Sequence, residues 1–208
     1  MVELGGMLAK KLSMQGKIFE YNDIKPDEYA KILFDKLKDN THCYIMTNDL
    51  NLVRMITSFE AVGFHFIKSL IWDKGNKIVN MFYMNQFEYI LFFRKGKAKK
   101  INNPGTGTIL SVPNKKTKDE NGNNIHDCEK PVKLMEILIL NSTKENETVL
   151  DCFMGSGSTG VAAKALNRNF IGIEIDDKYF DIARRRIEKE FVQEEIIEDE
   201  LSKYPLFE

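Results

Sequence analysis

The feature that most constrains this 208-residue chain is a glycine-rich turn between a short apolar strand and a helix. In the segment VLDCFMGSGSTG (149–160) the strand ends at Asp151, the chain turns through Gly155 and Gly157, and a helix begins near Ser158. Glycines let a backbone approach a ligand closely, and the first turn of a helix presents N–H groups without intrahelical partners. The turn is therefore a candidate ligand site, with an ordinary tight strand–helix connection as the alternative.

Helical and strand-like patterns alternate along the chain on both sides of this turn. Apolar spacing predicts helices near 26–37, 50–62, 131–139, 161–166 and 178–190, and strands near 41–47, 64–72, 86–94, 108–112, 148–150 and 170–175. We expect Phe87, Tyr89 and Phe92 to face the core, and 170–175 to be a buried strand. The alternation is typical of an α/β protein with a doubly wound, mostly parallel sheet covered on both faces.

Composition indicates one soluble domain. Hydrophobic residues make up 43% of the chain and charged residues 29%, and the apolar runs fall far short of the ~20 residues of a membrane helix. We expect one domain over 1–190, with an atypical N-terminus (1–24), a long polar and basic loop (95–124) and an acidic tail (191–208). The chain opens without a signal-peptide pattern, and its three cysteines form no C-x-x-C pair, so we expect a cytoplasmic protein without disulfides or a metal site.

Charge is distributed unevenly along the chain. Residues 68–118 contain eleven lysines and arginines against two acids, whereas 188–208 contain eight acids and two lysines. A basic region of this kind suits a polyanionic partner, and solubilising lysines are the alternative reading.

The glycine spacing permits a dinucleotide site. Residues 155–160 match G-x-G-x-x-G, and Glu174, at the end of the next predicted strand, can accept hydrogen bonds from ribose hydroxyls. A dinucleotide-dependent oxidoreductase is disfavoured because about 30 residues follow Glu174, too few for a second nucleotide-binding half. The lead-in of Asp151 and Phe153 also suits an amino-acid group and an adenine better than a pyrophosphate.

Several motifs together resemble one family. DCFMGSGST (151–159) and IGIEID (171–176) resemble the S-adenosylmethionine pocket of amino-group DNA methyltransferases, in particular the β-type subgroup, which methylates adenine N6 or cytosine N4. Cys152 stands where the family commonly has proline. The resemblance spans roughly residues 25–190 and also includes HDCEKP (126–131), THCYIMTN (41–48), IWDK (71–74) and QFEYILFFRK (86–95).

The resemblance implies a methyltransferase fold and transfer of a methyl group from S-adenosylmethionine to a flipped base of double-stranded DNA, with adenine N6 preferred, as in restriction–modification systems. It implies that the cofactor is bound by Asp151, Phe153, Gly155, Gly157, Ser158, Thr159, Glu174, Lys130 and Pro131. Glu174 then takes the ribose, and Lys130 and Pro131 close the far wall. The charge pattern adds six candidate DNA-binding residues: Lys74, Lys97, Lys99, Lys100, Lys115 and Lys116.

The family's catalytic tetrapeptide, in which Asp, Asn or Ser precedes Pro-Pro-aromatic, is absent from this sequence. None of the five prolines adjoins another, and family order would place the motif before Ile24. Its polar side chain and a backbone carbonyl accept the hydrogens of the target amine, and its aromatic ring stacks on the flipped base. We therefore identify no catalytic residue and expect this chain alone to bind the cofactor without methylating DNA.

The missing motif also bears on the sheet. In the family fold its strand lies between the strand ending at Asp151 and the strand 41–47, so we expect a break there. The gap would be filled by residues 2–12, by a second copy in a homodimer, or by a complementing polypeptide. A non-catalytic or split-enzyme fragment that binds the cofactor is the main alternative function.

Overall fold

The chain winds over both faces of a mixed β-sheet. The computed structural model describes residues 24–79, 82–126 and 128–202, with side chains described as far as Lys189. In chain order the elements are α1 (Pro26–Lys36), β1 (Thr41–Thr47), α2 (Leu52–Ala61), β2 (His65–Ile78), β3 (Asn85–Lys95), β4 (Ile109–Ser111), α3 (Val132–Ser142), β5 (Thr148–Asp151), α4 (Ser158–Ala165), β6 (Asn169–Gly172) and α5 (Asp177–Ser202). Residues 1–23 of the predicted N-terminal stretch and 203–208 of the predicted tail lie outside the described residues. None of the helices within these ranges is long and apolar enough to cross a membrane.

Two sheets form the centre of the fold. The first has the strand order β1-β3-β2-β4; β3 is antiparallel to β1 and β2, and β4 is parallel to β2. Strands β1, β2 and β4 therefore share one direction, and β3 is reversed. The second sheet contains β5 and β6, which pair in parallel. This arrangement is of the predicted α/β class, but the first sheet is mixed where a mostly parallel one was predicted, because the short connection between β2 and β3 suits an antiparallel pair.

Alternate side chains of β3 show how both faces of the first sheet are covered. Ile90 lies in a core that includes Leu134 of α3 and Ala162 of α4. The next residue, Leu91, lies in a second core with α1 and α2, which contribute Ala30 and Phe59. Successive side chains of a strand point to opposite faces, so the first sheet is buried on both sides as predicted.

Two predictions about burial were wrong. Phe87 is 42% exposed, although Phe92 is buried as expected. The ring of Phe87 packs edge-on against Tyr89 at 5.2 Å, near the start of β3, rather than inside the core. The predicted strand 170–175 ends at Gly172, and Ile171 is 54% exposed because β6 has a neighbouring strand on one side only among the described residues.

Among the described strands, none joins β1 to β5, where a break in the sheet is predicted. Within the described ranges β1 pairs only with β3, and β5 pairs only with β6. Tyr44 of β1 and Val149 of β5 nevertheless pack against the same core, beneath α3 and α4. On the side away from β3, strand β1 presents backbone N–H and C=O groups with which another strand could pair, and β5 does the same on the side away from β6.

Candidate functional site

The glycine loop between β5 and α4 needs its glycines for its own geometry. Gly155 has a φ of 52° and Gly157 a φ of 82°, both in the left-handed region that glycine adopts most readily. A Cβ on Gly157 would lie 2.8 Å from Cβ of Ala183 on α5, and one on Gly155 would lie 3.1 Å from Nε2 of His126. The lack of a Cβ at these two positions therefore lets the loop lie close to α5 and to the segment that precedes α3.

Asp151 stabilises the glycine loop through two hydrogen bonds within it. Its Oδ1 accepts a hydrogen bond from the Phe153 N–H at 3.0 Å, and its Oδ2 accepts one from the Thr159 hydroxyl at 2.6 Å. Burial raises the pKa of the Asp151 carboxyl, and the two hydrogen bonds oppose that rise. Because Asp151 binds the Thr159 hydroxyl, Thr159 offers a ligand its backbone N–H rather than its side chain.

Glu174 lies two residues beyond β6 and joins the segment that follows β6 to the glycine loop. Its Oε2 accepts a hydrogen bond from the Gly155 N–H at 2.8 Å, and its Oε1 accepts from the N–H groups of Ile175 and Asp176 at 2.9 and 3.0 Å. A carboxylate offers about four lone-pair positions, so Glu174 retains capacity for a ligand hydroxyl. It therefore supports the glycine loop as well as facing the candidate site.

Ser158 carries a buried hydroxyl suited to a ligand. The residue is 6% exposed, and its Oγ has no hydrogen-bond partner among the described residues. Ser158 is the first residue of α4, where helix N–H groups lack intrahelical partners and the helix dipole favours an anion. A carboxylate or phosphate placed there would accept hydrogen bonds from the hydroxyl and from the N–H groups of the first turn.

Phe153 adds an apolar surface to the same loop. It is 54% exposed, and its ring makes an edge-on contact with Tyr29 of α1 at 5.1 Å. The open part of the ring offers a flat contact for an apolar ligand group.

The segment 126–131 reaches the glycine loop through His126. The ring of His126 adjoins Gly155 and packs edge-on against Tyr179 of α5 at 4.3 Å. Its Nδ1 accepts a hydrogen bond from the Cys128 N–H at 3.1 Å, so the neutral ring carries its proton on Nε2, on the side of the loop. In the sequence, His126 stands out only as the first residue of the His-x-x-x-Lys-Pro pattern.

Lys130, predicted to close the far wall of the pocket, forms an ion pair. The Lys130 ammonium lies 2.8 Å from Glu88 of β3, whose other carboxylate oxygen lies 2.6 Å from Lys74, and both ammonium groups sit over the Trp72 ring. Burial would raise the pKa of Glu88, but Lys130 and Lys74 hold it below its usual value. Pro131 is the N-cap residue of α3. The Lys130 side chain is thus held by Glu88, and its role in the far wall stays a prediction.

The six predicted DNA-binding lysines form two groups, which lie at opposite ends of the strands. The far-edge lysines follow the end of β3 that pairs with the start of β1, and they are Lys97, Lys99 and Lys100. The Lys99 ammonium reaches the Ser142 carbonyl at 3.3 Å and Glu147 at 4.0 Å, just before β5, whereas the glycine loop follows the other end of β5. The loop-side lysines are Lys74, Lys115 and Lys116, and the Lys116 ammonium donates to the Glu129 carbonyl at 2.6 Å.

Arg186 of α5 is a site residue that sequence reasoning missed. Its guanidinium donates to the Ser156 carbonyl in the glycine loop at 2.6 Å and pairs with Glu129 at 2.9 Å. Three arginines stand in a row at 184–186, and only Arg186 is not exposed. A run of equal charges gives no signal of which member turns inward.

These residues define a class of site. A helix N-terminus suited to an anion, an exposed aromatic ring and a carboxylate after the next strand are groups that suit a nucleoside-like ligand with an anionic group.

Comparisons with known proteins supply the family. The profile of the N6/N4 methyltransferase family, described as DNA methylase, matches residues 25–185. The type II methyltransferase M.HinfI of Haemophilus influenzae is 32% identical over 191 residues, covering 81% of this chain and 53% of that protein. The type II methyltransferase M2.DpnII of Streptococcus pneumoniae is 34% identical over 183 residues, covering 78% of this chain and 66% of that protein. The chain belongs to the N6/N4 DNA methylase family, and it spans from about half to just under two thirds of these relatives.

Solved structures agree with this assignment. The crystal structure of the M1.HpyAVI–SAM complex matches with a TM-score of 0.68 and 33% identity, covering 78% of this chain and 83% of that chain. The cytosine-N4-specific PvuII DNA methyltransferase matches in fold, with a TM-score of 0.63 and 20% identity over 83% of this chain and 81% of that one. The predicted methyltransferase fold is confirmed.

Proposed function

We propose that this chain binds S-adenosylmethionine at the glycine loop and serves as the cofactor-binding part of a DNA methyltransferase that modifies an exocyclic amino group, with adenine N6 preferred. The observation that carries the proposal is the unpartnered Ser158 hydroxyl at the start of α4, within the loop that Glu174 also holds. The 33% identity to M1.HpyAVI, whose structure is a complex with SAM, supports the choice of ligand.

The loop residues fit the parts of this cofactor. The amino-acid carboxylate would accept from the Ser158 hydroxyl and the first-turn N–H groups of α4, the ribose hydroxyls would donate to Glu174, and Phe153 would contact the adenine. Asp151 and Gly155 shape the floor beneath them. When bound, the cofactor supplies an electrophilic methyl group, and the residues of this chain bind it and orient it.

Double-stranded DNA is the proposed substrate. Of the basic residues predicted to bind it, the loop-side lysines lie on the side of the glycine loop, to which Lys116 is linked through Glu129 and Arg186. Lys115 is exposed there, whereas the Lys74 ammonium is engaged by Glu88. Phosphate contacts by such lysines give sequence-independent affinity, so they support docking of DNA and leave the recognition sequence open.

The divided sheet supports a further part of the proposal. A strand that pairs with the edges of β1 and β5 left open by the described strands would bring the acceptors for the target amine beside the glycine loop. Residues 2–12, a second copy of the chain or a complementing polypeptide would provide it. Each unpaired group on a buried strand edge costs about 1–3 kcal/mol, which favours filling the gap.

Calorimetric titration with S-adenosylmethionine tests the cofactor assignment. We expect the wild-type chain to bind, Ser158→Ala to bind more weakly, and Ser58→Ala to bind as wild type does, because Ser58 belongs to α2, which supplies no residue of the glycine loop. NADH should not bind. Absence of binding by the wild-type chain, or preference for NADH, would overturn the proposal.

A methyl-transfer assay with labelled cofactor and DNA tests the proposed strand. We expect the 208-residue chain alone to transfer no methyl group at a useful rate, and a version extended upstream or mixed with a complementing polypeptide to do so. Robust transfer by the chain alone would show that its own residues serve the target amine.

A further inference from the structure

Glu129 is a buried carboxylate that joins two surface loops. The residue is 4% exposed and precedes Lys130 in the segment before α3. Its Oε1 lies 2.9 Å from the Arg186 guanidinium, and the same carboxylate accepts two hydrogen bonds from Thr117. A buried charge requires such partners, because its desolvation is otherwise uncompensated.

On one side the Glu129 carboxylate binds a small hairpin through Thr117, a contact called here the hairpin arm. The Thr117 N–H donates to Oε2 of Glu129 at 2.7 Å, and the Thr117 hydroxyl donates to Oε1 at 2.8 Å. Thr117 also accepts the Ile125 N–H at 3.1 Å, and Asp119 accepts two N–H groups of the turn between them. Residues 117–125 therefore form a closed unit, called here the 117–125 hairpin, whose base is attached to Glu129.

On its other side Glu129 is joined to the glycine loop through Arg186, a connection called here the loop arm. The Arg186 side chain contacts both Glu129 and the Ser156 carbonyl, with distances of 2.9 and 2.6 Å. Ser156 is 3% exposed and lies between the two left-handed glycines. The position of the loop backbone thus depends on a guanidinium that is itself oriented by Glu129.

We propose that Glu129 and Arg186 are positioning residues that couple the 117–125 hairpin to the glycine loop. Because both arms end on one carboxylate, release of either arm leaves Glu129 with an incomplete set of donors and loosens the other arm. This coupling has a consequence for the reaction, and that consequence rests on the proposed function. DNA held by the hairpin and its flanking lysines strengthens cofactor binding, and bound cofactor strengthens DNA binding by the same factor.

Hydrogen exchange without ligand tests the coupling directly. Arg186→Met should speed exchange of the amides in the 117–125 hairpin, and Thr117→Val should speed exchange of amides 153–157, each by about tenfold or more. Arg184→Met is the matched control, because Arg184 lies on the same helix and pairs with Asp181 and Glu188 within that helix. Changes confined to the mutated arm, or equal changes in the control, would overturn the proposal.

Cofactor affinity then tests the positioning role. Glu129→Ala should weaken binding of S-adenosylmethionine by about tenfold or more, whereas Glu129→Gln, which keeps an oxygen acceptor, should restore most of the affinity. Unchanged affinity in folded Glu129→Ala would mean that the pair is only structural, and would overturn this role. If Arg186→Met does not fold, Thr117→Val at the exposed end still decides the coupling. Failure of the wild-type chain to bind the cofactor refutes the proposed function, whereas the exchange result stands without it.

Discussion

Replacing Glu174 with alanine tests the cofactor pocket most directly. The substitution removes the acceptor of three backbone N–H groups, at 2.8–3.0 Å, and the proposed acceptor of the ribose hydroxyls. Hydrogen bonds to a charged group contribute about 1.5–3 kcal/mol, and each 1.4 kcal/mol changes a binding constant about tenfold. Loss of the ribose contact alone should therefore weaken binding roughly 10–150-fold. Release of the Gly155 N–H should add to this, because the glycine loop loses its tie to β6.

Two companion variants separate these effects in calorimetric titrations with S-adenosylmethionine. Glu174→Gln retains an oxygen that can accept from Gly155 but lacks the charge, so we expect an affinity between those of wild type and Glu174→Ala. Asp177→Ala removes an exposed carboxylate in the first turn of α5 and should bind as wild type does. Wild-type affinity in Glu174→Ala would refute the assignment of the pocket.

Three further results are expected. Replacing Lys115 and Lys116 with alanine should flatten the log–log salt dependence of DNA binding by about 0.9 per lost phosphate contact, whereas alanines at the far-edge lysines should leave the slope unchanged. The pKa of Asp151 is raised on folding above its usual 3.8, so its ionisation costs stability as pH rises; the advantage of Asp151→Asn in thermal melts should grow from acid toward neutral pH. Gly157→Ala combines a left-handed φ with a 2.8 Å contact and should lower Tm by roughly 4–20 °C in calorimetry, whereas Gly105→Ala, with open space around it, should not.

Local sequence patterns predicted the elements and the glycine loop well. Strand β1 has the predicted bounds 41–47, and α4 begins at Ser158 as the loop pattern indicated. Such features depend on neighbouring residues, through side-chain periodicity and the conformational freedom of glycine. The sequence predicted the roles of the site residues only in part. It marks Asp151 and Glu174 as candidate ligand-binding residues but does not show that their carboxylates bond to the backbone of the loop itself.

Contacts between distant segments were not readable from the sequence. Nothing in the pattern shows that Lys130 pairs with Glu88, or that Arg186 rather than its neighbours meets Glu129. The far-edge lysines were grouped with the others by their place in the chain, but the reversed strand β3 carries them to the edge away from the glycine loop. Strand order and direction decide such placements, and the charge pattern does not encode them.

The break between β1 and β5 in the described part of the sheet underlies our proposal that cofactor binding and methyl transfer separate in this chain. Strand pairing requires directed hydrogen bonds, whereas apolar packing is non-directional, so Tyr44 and Val149 can share a core although no described strand joins their sheets. The glycine loop draws its supports from β5, β6, α5 and the segment 126–131, and this segment is also joined to β3 by the Lys130–Glu88 ion pair. None of these supports depends on the strand proposed to enter the gap. Affinity for the cofactor should therefore be a property of this part of the fold, while transfer to an amine depends on what pairs with β1 and β5.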